Sequence, residues 1–456
     1  MAQPTAGVNL GPAGGRKSVS GTAPSLESRT WPSVLMSMAM ARQFRLLAAL
    51  AFLVSAVVSY SAAPLRSTES SDPAAPPALR AQSAILIEAD TGATLYAKNP
   101  DERIPPASLT KLMTISIALR EIENGTLSPS EVVAPASDAW ASNMPPHSSL
   151  MFLGPDQKLT VDQLLKGLVV DSGNDAAVEL ADLIAGSVPS FVELMNQEAQ
   201  RLGYQAMHFV DPAGISASNV VTAREYADFA RRFVLDHPDA LKDLFSIEKF
   251  TYPLAENLTD DNHEKPVTQS NRNLLLGRYK GVDGLKTGYI HESGYNIAVT
   301  AKRDGMRLIA VILGIHSLDS ADGVALRAAE STELLDYGFQ TFTTVHPAFI
   351  GPSPVRVWKG TARTVEIKAT PEPVVVVRKD QASEVRTRIL QVLNVEAPVK
   401  AGQALGALVV SLDSVELARF PLKAQASVDR GNFVRRVLDS IALFLIGQQL
   451  TGHHRS

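Results

Sequence analysis

Pro106-Ala107-Ser108-Leu109-Thr110-Lys111-Leu112-Met113 decides how the rest of this 456-residue chain is read. Prolines fit a helix entrance, because the first-turn amides need no intrahelical partner. The spacing predicts a helix from Ser108 to about Arg120. Ser108 and Lys111, three residues apart, then share one face within a single turn. A serine hydroxyl is a poor nucleophile until a base takes its proton. An ordinary lysine, with a pKa of about 10.4, is protonated at neutral pH. Acting as a base requires a fall of roughly 3 pH units, worth about 4 kcal/mol. Burial and a second nearby cation both push that way. Free amides at the helix N-terminus suit an oxyanion.

Two further tripeptides complete a possible site: Ser172-Gly173-Asn174 and Lys286-Thr287-Gly288. Singly, each has a bland reading: a capped helix turn, a turn between helices, a strand or turn. Their order and wide spacing, together with an export signal, point instead to a serine acyl-enzyme. Lys286 is suited to be the second cation if its strand lines the same cleft.

The N-terminus carries that export signal. Arg42 and Arg45 precede an apolar run from Leu46 to Val58, followed by small residues around Ser59, Ser61, Ala62 and Ala63. This is a basic n-region, an h-region and a cleavage zone. The run is short for a membrane span, which needs about 20 apolar residues. Pro64 disfavours cleavage directly after Ala63. Residues 1–37 are Gly-, Ser- and Pro-rich, and Met36, Met38 or Met40 lies nearer the basic residues, which suggests a later start. Residues 1–63 are therefore assigned to an extra segment plus signal peptide, and 64–81 to a linker.

Composition narrows the class further. The net charge of −4 lacks the basic excess of a nucleic-acid binder. With no cysteine, disulfides, thiolate metal sites and thiol catalysis are excluded.

Residues 82–342 read as one domain. Ala84–Ile87 and Thr94–Ala97 flank the turn Asp90-Thr91-Gly92, a β-hairpin pattern. Helix starts are expected at Thr160 with Gln163, at Ser190 with Glu193, and at Thr222 with Glu225. Gly203 closes the second. Strands are expected at Asn296–Ala301 and Arg307–Leu313 around Asp304-Gly305, then a helix from Ala321 to Tyr337. Strands at both ends with helices between give an α/β (α+β) domain on a mainly antiparallel sheet with a helical lobe. Residues 343–430 hold short β-rich runs punctuated by Pro and Gly, which predict a small all-β domain. In 431–456, Phe433, Val434, Val437, Leu438, Ile441, Phe444 and Leu445 fall at helical spacing. Charges interrupt the stripe too often for a span, so an amphipathic helix lying in a membrane interface is expected. A helix packed on the protein itself is the alternative.

The three motifs match the set S-x-x-K, S-D-N and K-T-G, with S-G-N in the middle. The chain resembles the low-molecular-mass penicillin-binding proteins, the serine-type D-alanyl-D-alanine carboxypeptidases. The likeness extends through Asp171–Ala177, Val282–Tyr289, Asn271-Arg272-Asn273 and Ser293-Gly294-Tyr295-Asn296. It continues in Ala397–Gln403 and Pro421-Leu422. The resemblance implies a transpeptidase/β-lactamase-like fold. It implies that Ser108 attacks the carbonyl of the penultimate D-Ala of a peptidoglycan stem peptide, with Lys111 as general base. The amides of Ser108 and Tyr289 hold the oxyanion, and Ser172 with Lys286 relays a proton to the leaving amine. Asn174 binds the substrate amide, while Arg272 and Thr287, with Gly288 in the same strand, receive the terminal carboxylate. β-Lactams acylate the same serine, and no metal or organic cofactor is required. The implied place is the periplasmic face of the cytoplasmic membrane, held there by the C-terminal helix.

One departure stands out: Ala213 occupies a position where many relatives have histidine. A class A β-lactamase is disfavoured by S-G-N, by the lack of a convincing E-x-x-L-N segment and by the extra β domain. A catalytically silent envelope scaffold is the reading from another class. Oligomeric state is not legible.

Overall fold

The computed structural model describes residues 75–452, with side chains placed through Leu445. The export signal, the alternative starts and the first part of the 64–81 linker lie outside the described residues.

The first domain is built on five strands: β1 (Ser83–Glu88), β2 (Thr94–Lys98), β3 (Val282–Ile290), β4 (Gly294–Arg303) and β5 (Met306–Ile315). They lie in the order β2-β1-β5-β4-β3, antiparallel throughout. The central strands are buried on both faces, which is why they read as continuous apolar runs. Side chains alternate across a strand, so each strand feeds two cores. Ile85, Ile87, Ile309, Val311 and Leu313 face the helical lobe. Ala84, Leu86, Leu308, Ala310 and Ile312 face the other way, onto Leu334 and Leu335 of the long helix that follows β5.

The helices are α1 (Lys111–Glu123), α2 (Val161–Lys166), α3 (Asn174–Ala185), α4 (Val188–Leu202), α5 (Ala223–Asp236) and α6 (Ser320–Thr341). Tyr226, Phe229, Ala230, Phe233 and Val234 make the buried stripe of α5, the i, i+3, i+4, i+7, i+8 pattern of a helix lying on a core. The Thr160–Gln163 capping box forms in both directions. Thr222 caps α5, but Glu225 spends its carboxylate on the amides of Gln205, Ala206 and Met207. The start of α4 differs from expectation. Ser187, not Ser190, is the cap, because Pro189 in the first turn needs no amide partner.

The helix expected from Ser108 begins later. Ala107–Thr110 form a 3₁₀ turn, and the α-helix starts at Lys111. Ala107 has φ 53°, so the chain enters from a left-handed residue that cannot be part of a regular helix.

The β domain has its own core of Val355, Val357, Val365, Ile367, Leu408, Leu422 and Val428. Val375–Arg378 pairs antiparallel with Phe342–Val345, the strand leaving α6. Val385–Gln391, absent from the sequence reading, is an edge strand paired with Ala404–Leu412. Arg386 and Arg388 on its exposed side broke the apolar pattern that would have revealed it.

Helix α7 (Phe433–Gly452) ends the described chain. Phe433, Val434, Leu438, Ile441, Phe444 and Leu445 are exposed. Arg435 and Asp439 are half-buried against the protein, while Arg436 and Ser440 are exposed; the Asp439 carboxylate accepts from the Lys359 amide at 2.5 Å and lies 3.9 Å from Arg435. None of the described helices is long and apolar enough to cross a membrane.

Candidate active site

Ser108 sits in the 3₁₀ turn, and neighbouring elements hold that turn from every side. The Tyr226 hydroxyl donates to Leu109 O at 2.8 Å, and Asn296 Nδ2 to Pro105 O at 3.1 Å. Two glycines allow close backbone approach. A Cβ on Gly214 would lie 1.9 Å from Ala107 O. One on Gly288 would lie 2.7 Å from Pro106 O and 3.0 Å from Ser108 N. The glycine of K-T-G is there because β3 runs directly against the nucleophile turn.

Lys111 is fully buried. Its Nζ donates to Ser108 Oγ at 3.1 Å, Asn174 Oδ1 at 2.7 Å and Ala213 O at 2.7 Å. Burial pushes its amine down to about 7; Asp211 and Asp175 oppose this, and Arg272 adds to it. Burial is the larger of the two causes the sequence suggested, and the cation that adds to it is Arg272 rather than the expected Lys286. Because Ala213 contributes its carbonyl, the missing histidine leaves this contact intact.

Ser172 is buried at φ 59°, a left-handed conformation that costs a non-glycine residue about 1–2 kcal/mol. It joins the π-helical turn Gly167–Asp171 to α3, whose first residue is Asn174. Lys286 on β3 is also buried, and its Nζ donates to Ser172 Oγ at 2.9 Å and to Thr287 O at 3.3 Å. Burial pushes Lys286 well below the ordinary lysine range. The charges of Lys111, Arg272 and Arg327 add to that, and Asp171 opposes it.

The other expected residues gather nearby. Thr287 is buried on β3. Arg272 is exposed, with Nε donating to Asp171 O at 3.4 Å. Its neighbours are structural: Asn271 Oδ1 accepts from Asn273 N, and Asn273 Nδ2 donates to Gly284 O. Tyr289 is exposed, its ring 4.5 Å from that of Tyr295. Ser108, Asn174, Gly214, Tyr289, His147 and Glu292 line a cleft of about 300 Å³.

Sequence reading missed three supporting residues. Asp175 accepts from the amides of Met151, Phe152 and Leu153, tying the cleft's rim to S-G-N. Asp211 accepts from the amides of Ala213, Gly214, Ile215 and Ser216, which sets the loop that Lys111 touches. Arg327 on α6 is buried, with Nη1 3.4 Å from Gly288 O and Nη2 3.3 Å from Arg272 O. Burial pushes its guanidinium down to about 10. The Asp-Pro turn and the acid after S-G-N were visible signals, whereas Arg327 was one helix arginine among several. Among the described residues no group of three or more His, Asp or Glu side chains is arranged to hold a metal.

The arrangement places an amine poised near neutrality beside one hydroxyl and a second buried amine beside another. It can accept a proton from Ser108 and deliver one through Ser172.

Comparison with known proteins gives the family and the fold. Residues 69–317 match the family model described as D-alanyl-D-alanine carboxypeptidase, and residues 339–430 that of the penicillin-binding protein 5 C-terminal domain. The chain is 34% identical over 360 residues to D-alanyl-D-alanine carboxypeptidase DacF of Bacillus subtilis (strain 168), covering 78% of this chain and 87% of that one. Penicillin binding protein 5 from Haemophilus influenzae superposes with a TM-score of 0.69 at 34% identity, covering 78% and 99%. Penicillin-binding protein D2 from Listeria monocytogenes, in a cefotaxime-bound form, gives 0.50 at 27% identity, covering 58% and 99%.

The close approach of β3 to the nucleophile turn gives a direct test. Gly288→Ala forces a Cβ against backbone atoms and is expected to cost about 1–3 kcal/mol. The chemical denaturation midpoint reads this, and an unchanged midpoint would contradict the packing.

Proposed function

This chain belongs to the D-alanyl-D-alanine carboxypeptidase family, and on that premise we propose how its own residues carry the reaction. The enzyme is a serine-type D-Ala-D-Ala carboxypeptidase. The substrate is the stem pentapeptide of peptidoglycan, which loses its terminal D-Ala. Lys111 in its neutral form takes the Ser108 proton as Oγ attacks the carbonyl of the penultimate D-Ala. The contact that carries this reading is Lys111 Nζ at 3.1 Å from Ser108 Oγ. The amides of Ser108 and Tyr289 stabilise the oxyanion; the packing of Gly288 against Ser108 N supports that pairing.

Ser172 passes a proton to the departing D-Ala amine, with Lys286 donating to its Oγ. Asn174, whose Oδ1 also receives Lys111, binds the substrate amide. The terminal carboxylate meets Arg272 and Thr287, a charge-assisted pairing that the nearby Arg327 reinforces. Water then attacks the acyl-enzyme and releases the tetrapeptide. β-Lactams acylate Ser108 in the same way and act as inhibitors.

Helix α7 supports a peripheral attachment to the membrane on the periplasmic side. A helix folded onto its own protein buries its apolar stripe, yet here Phe433, Val434, Leu438, Ile441, Phe444 and Leu445 stay exposed. That arrangement suits an interfacial helix. Exposed apolar surface of this extent otherwise marks an interaction site.

Two measurements test these readings. Ser108→Ala is expected to abolish both covalent labelling by a fluorescent penicillin and D-Ala release from a pentapeptide. Persistence of either removes Ser108 from the role. Deleting residues 432–456 is expected to leave D-Ala release intact while freeing the protein from membranes, and a truncated protein that still sediments with vesicles refutes the anchor.

A further inference from the structure

The cleft beside Ser108 is walled by two fixed segments. On one side, Ile290 pairs with Gly294, so His291, Glu292 and Ser293 form a three-residue loop joining β3 to β4. Ser293 is buried, and its Oγ accepts from Asn296 Nδ2 at 3.0 Å. The same Nδ2 donates to Pro105 O at 3.1 Å, so one amide holds both this loop and the entry to the nucleophile turn. On the other side, His147 has φ 63°, a left-handed conformation that favours glycine. Its segment is anchored where Ser149 O accepts from Asn174 N at 2.8 Å. Side chains carried by tethered segments keep a set position relative to the reacting serine.

Charge is divided along this cleft. Glu292 is the only carboxylate among the described residues lining it, and none of them is lysine or arginine. Glu292 is exposed and makes no hydrogen bond or ion pair among the described residues. The cations stand on the other side of Tyr289: Lys286 bonds Ser172 Oγ, Arg272 bonds Asp171 O, and Arg327 lies 3.4 Å from Gly288 O. A peptide whose terminal carboxylate meets Thr287 and whose scissile carbonyl meets the Tyr289 amide has its direction along β3 set. Two strand residues span about 7 Å, so a further step of that size carries the peptide past Ile290 to the Glu292 loop. The peptide residue that arrives there is the one preceding D-Ala-D-Ala. Tyr289, Ile290 and Ile215 offer apolar surface along the way, which suits methylenes leading to a charged head.

We propose that Glu292 is a specificity-determining residue that accepts a side-chain ammonium on the residue preceding D-Ala-D-Ala. The proposal rests on the carboxypeptidase reading of the site and names its substrate class: peptides negative at the C-terminus and positive one residue before the D-Ala pair. Glu292 takes no part in the bond changes. It lowers the KM of a cationic peptide and leaves a neutral one to the contacts already described.

The experiment measures D-Ala release from Nα-acetyl-Lys-D-Ala-D-Ala and from the same peptide with its Nε also acetylated, by the full chain, Glu292→Gln and Glu292→Lys. Acetylation removes the charge of the amine. Wild type is expected to favour the free amine in kcat/KM by about threefold, the size of an exposed ion pair, with the difference lying in KM. High salt shrinks that preference. Glu292→Gln brings the ratio to near one, and Glu292→Lys reverses it. Equal kcat/KM for the two peptides in wild type overturns the proposal. So does a preference that both variants retain, whatever their absolute rates, which is what a purely structural role gives. Labelling of each protein by a fluorescent penicillin is scored alongside. A chain that is labelled yet releases D-Ala from neither peptide contradicts the carboxypeptidase reading itself, so the two failures are distinguishable.

Discussion

Two buried lysine amines, 3.1 Å and 2.9 Å from two serine hydroxyls, are the constraint around which this domain is arranged. Holding Lys111 at about 7 instead of 10.5 corresponds to about 5 kcal/mol of disfavoured charge. Removal from water supplies it. The dry site is made by the sheet on one side and by the helical lobe on the other, and neither layer encloses Lys111 alone. Where a buried amine forms no ion pair, hydrogen bonds must satisfy it. Lys111 finds Ser108, Asn174 and Ala213; Lys286 finds Ser172 and Thr287.

Each partner comes from a different element, and each is fixed by its own local device. The 3₁₀ turn carrying Ser108 enters through a left-handed alanine and is pressed by Gly214 and Gly288. A strained left-handed Ser172 ends a π-type turn, so its hydroxyl faces β3 and not the interior of a helix. The loop carrying the Ala213 carbonyl is organised by one carboxylate accepting four backbone amides. Backbone strain at such positions persists only where the surroundings over-determine it. Here the surrounding packing is the hydrophobic core itself.

Much of this was legible beforehand because the chemistry needs particular residue types at fixed spacing. Ser108-x-x-Lys111 lies within one turn whether that turn is 3₁₀ or α, so the later helix start did not alter the pairing. The hairpins were legible from Asp90-Thr91-Gly92 and Asp304-Gly305, and α5 from its five-residue stripe. Long-range contributions were hidden. Arg327 is separated by 39 residues from the Gly288 carbonyl it approaches, and nothing in its local sequence marks it as buried. Ser187 displaced Ser190 as a cap because Pro189 changed which amides needed partners. Val385–Gln391 was obscured by arginines on its exposed face. The docking of α7 through Asp439 depends on the backbone amide of Lys359, just past the strand Val355–Trp358 and 80 residues away in the chain.

The dry site makes Lys111 a free amine at working pH. The measurement that addresses it most directly is an NMR titration of the protein labelled with ¹³C at lysine Cε, the Lys111 signal being assigned by its loss in Lys111→Arg. A titration midpoint near 7 is expected, more than three pH units below an exposed lysine. A Lys111 signal that stays in the ammonium form to pH 10 would contradict it.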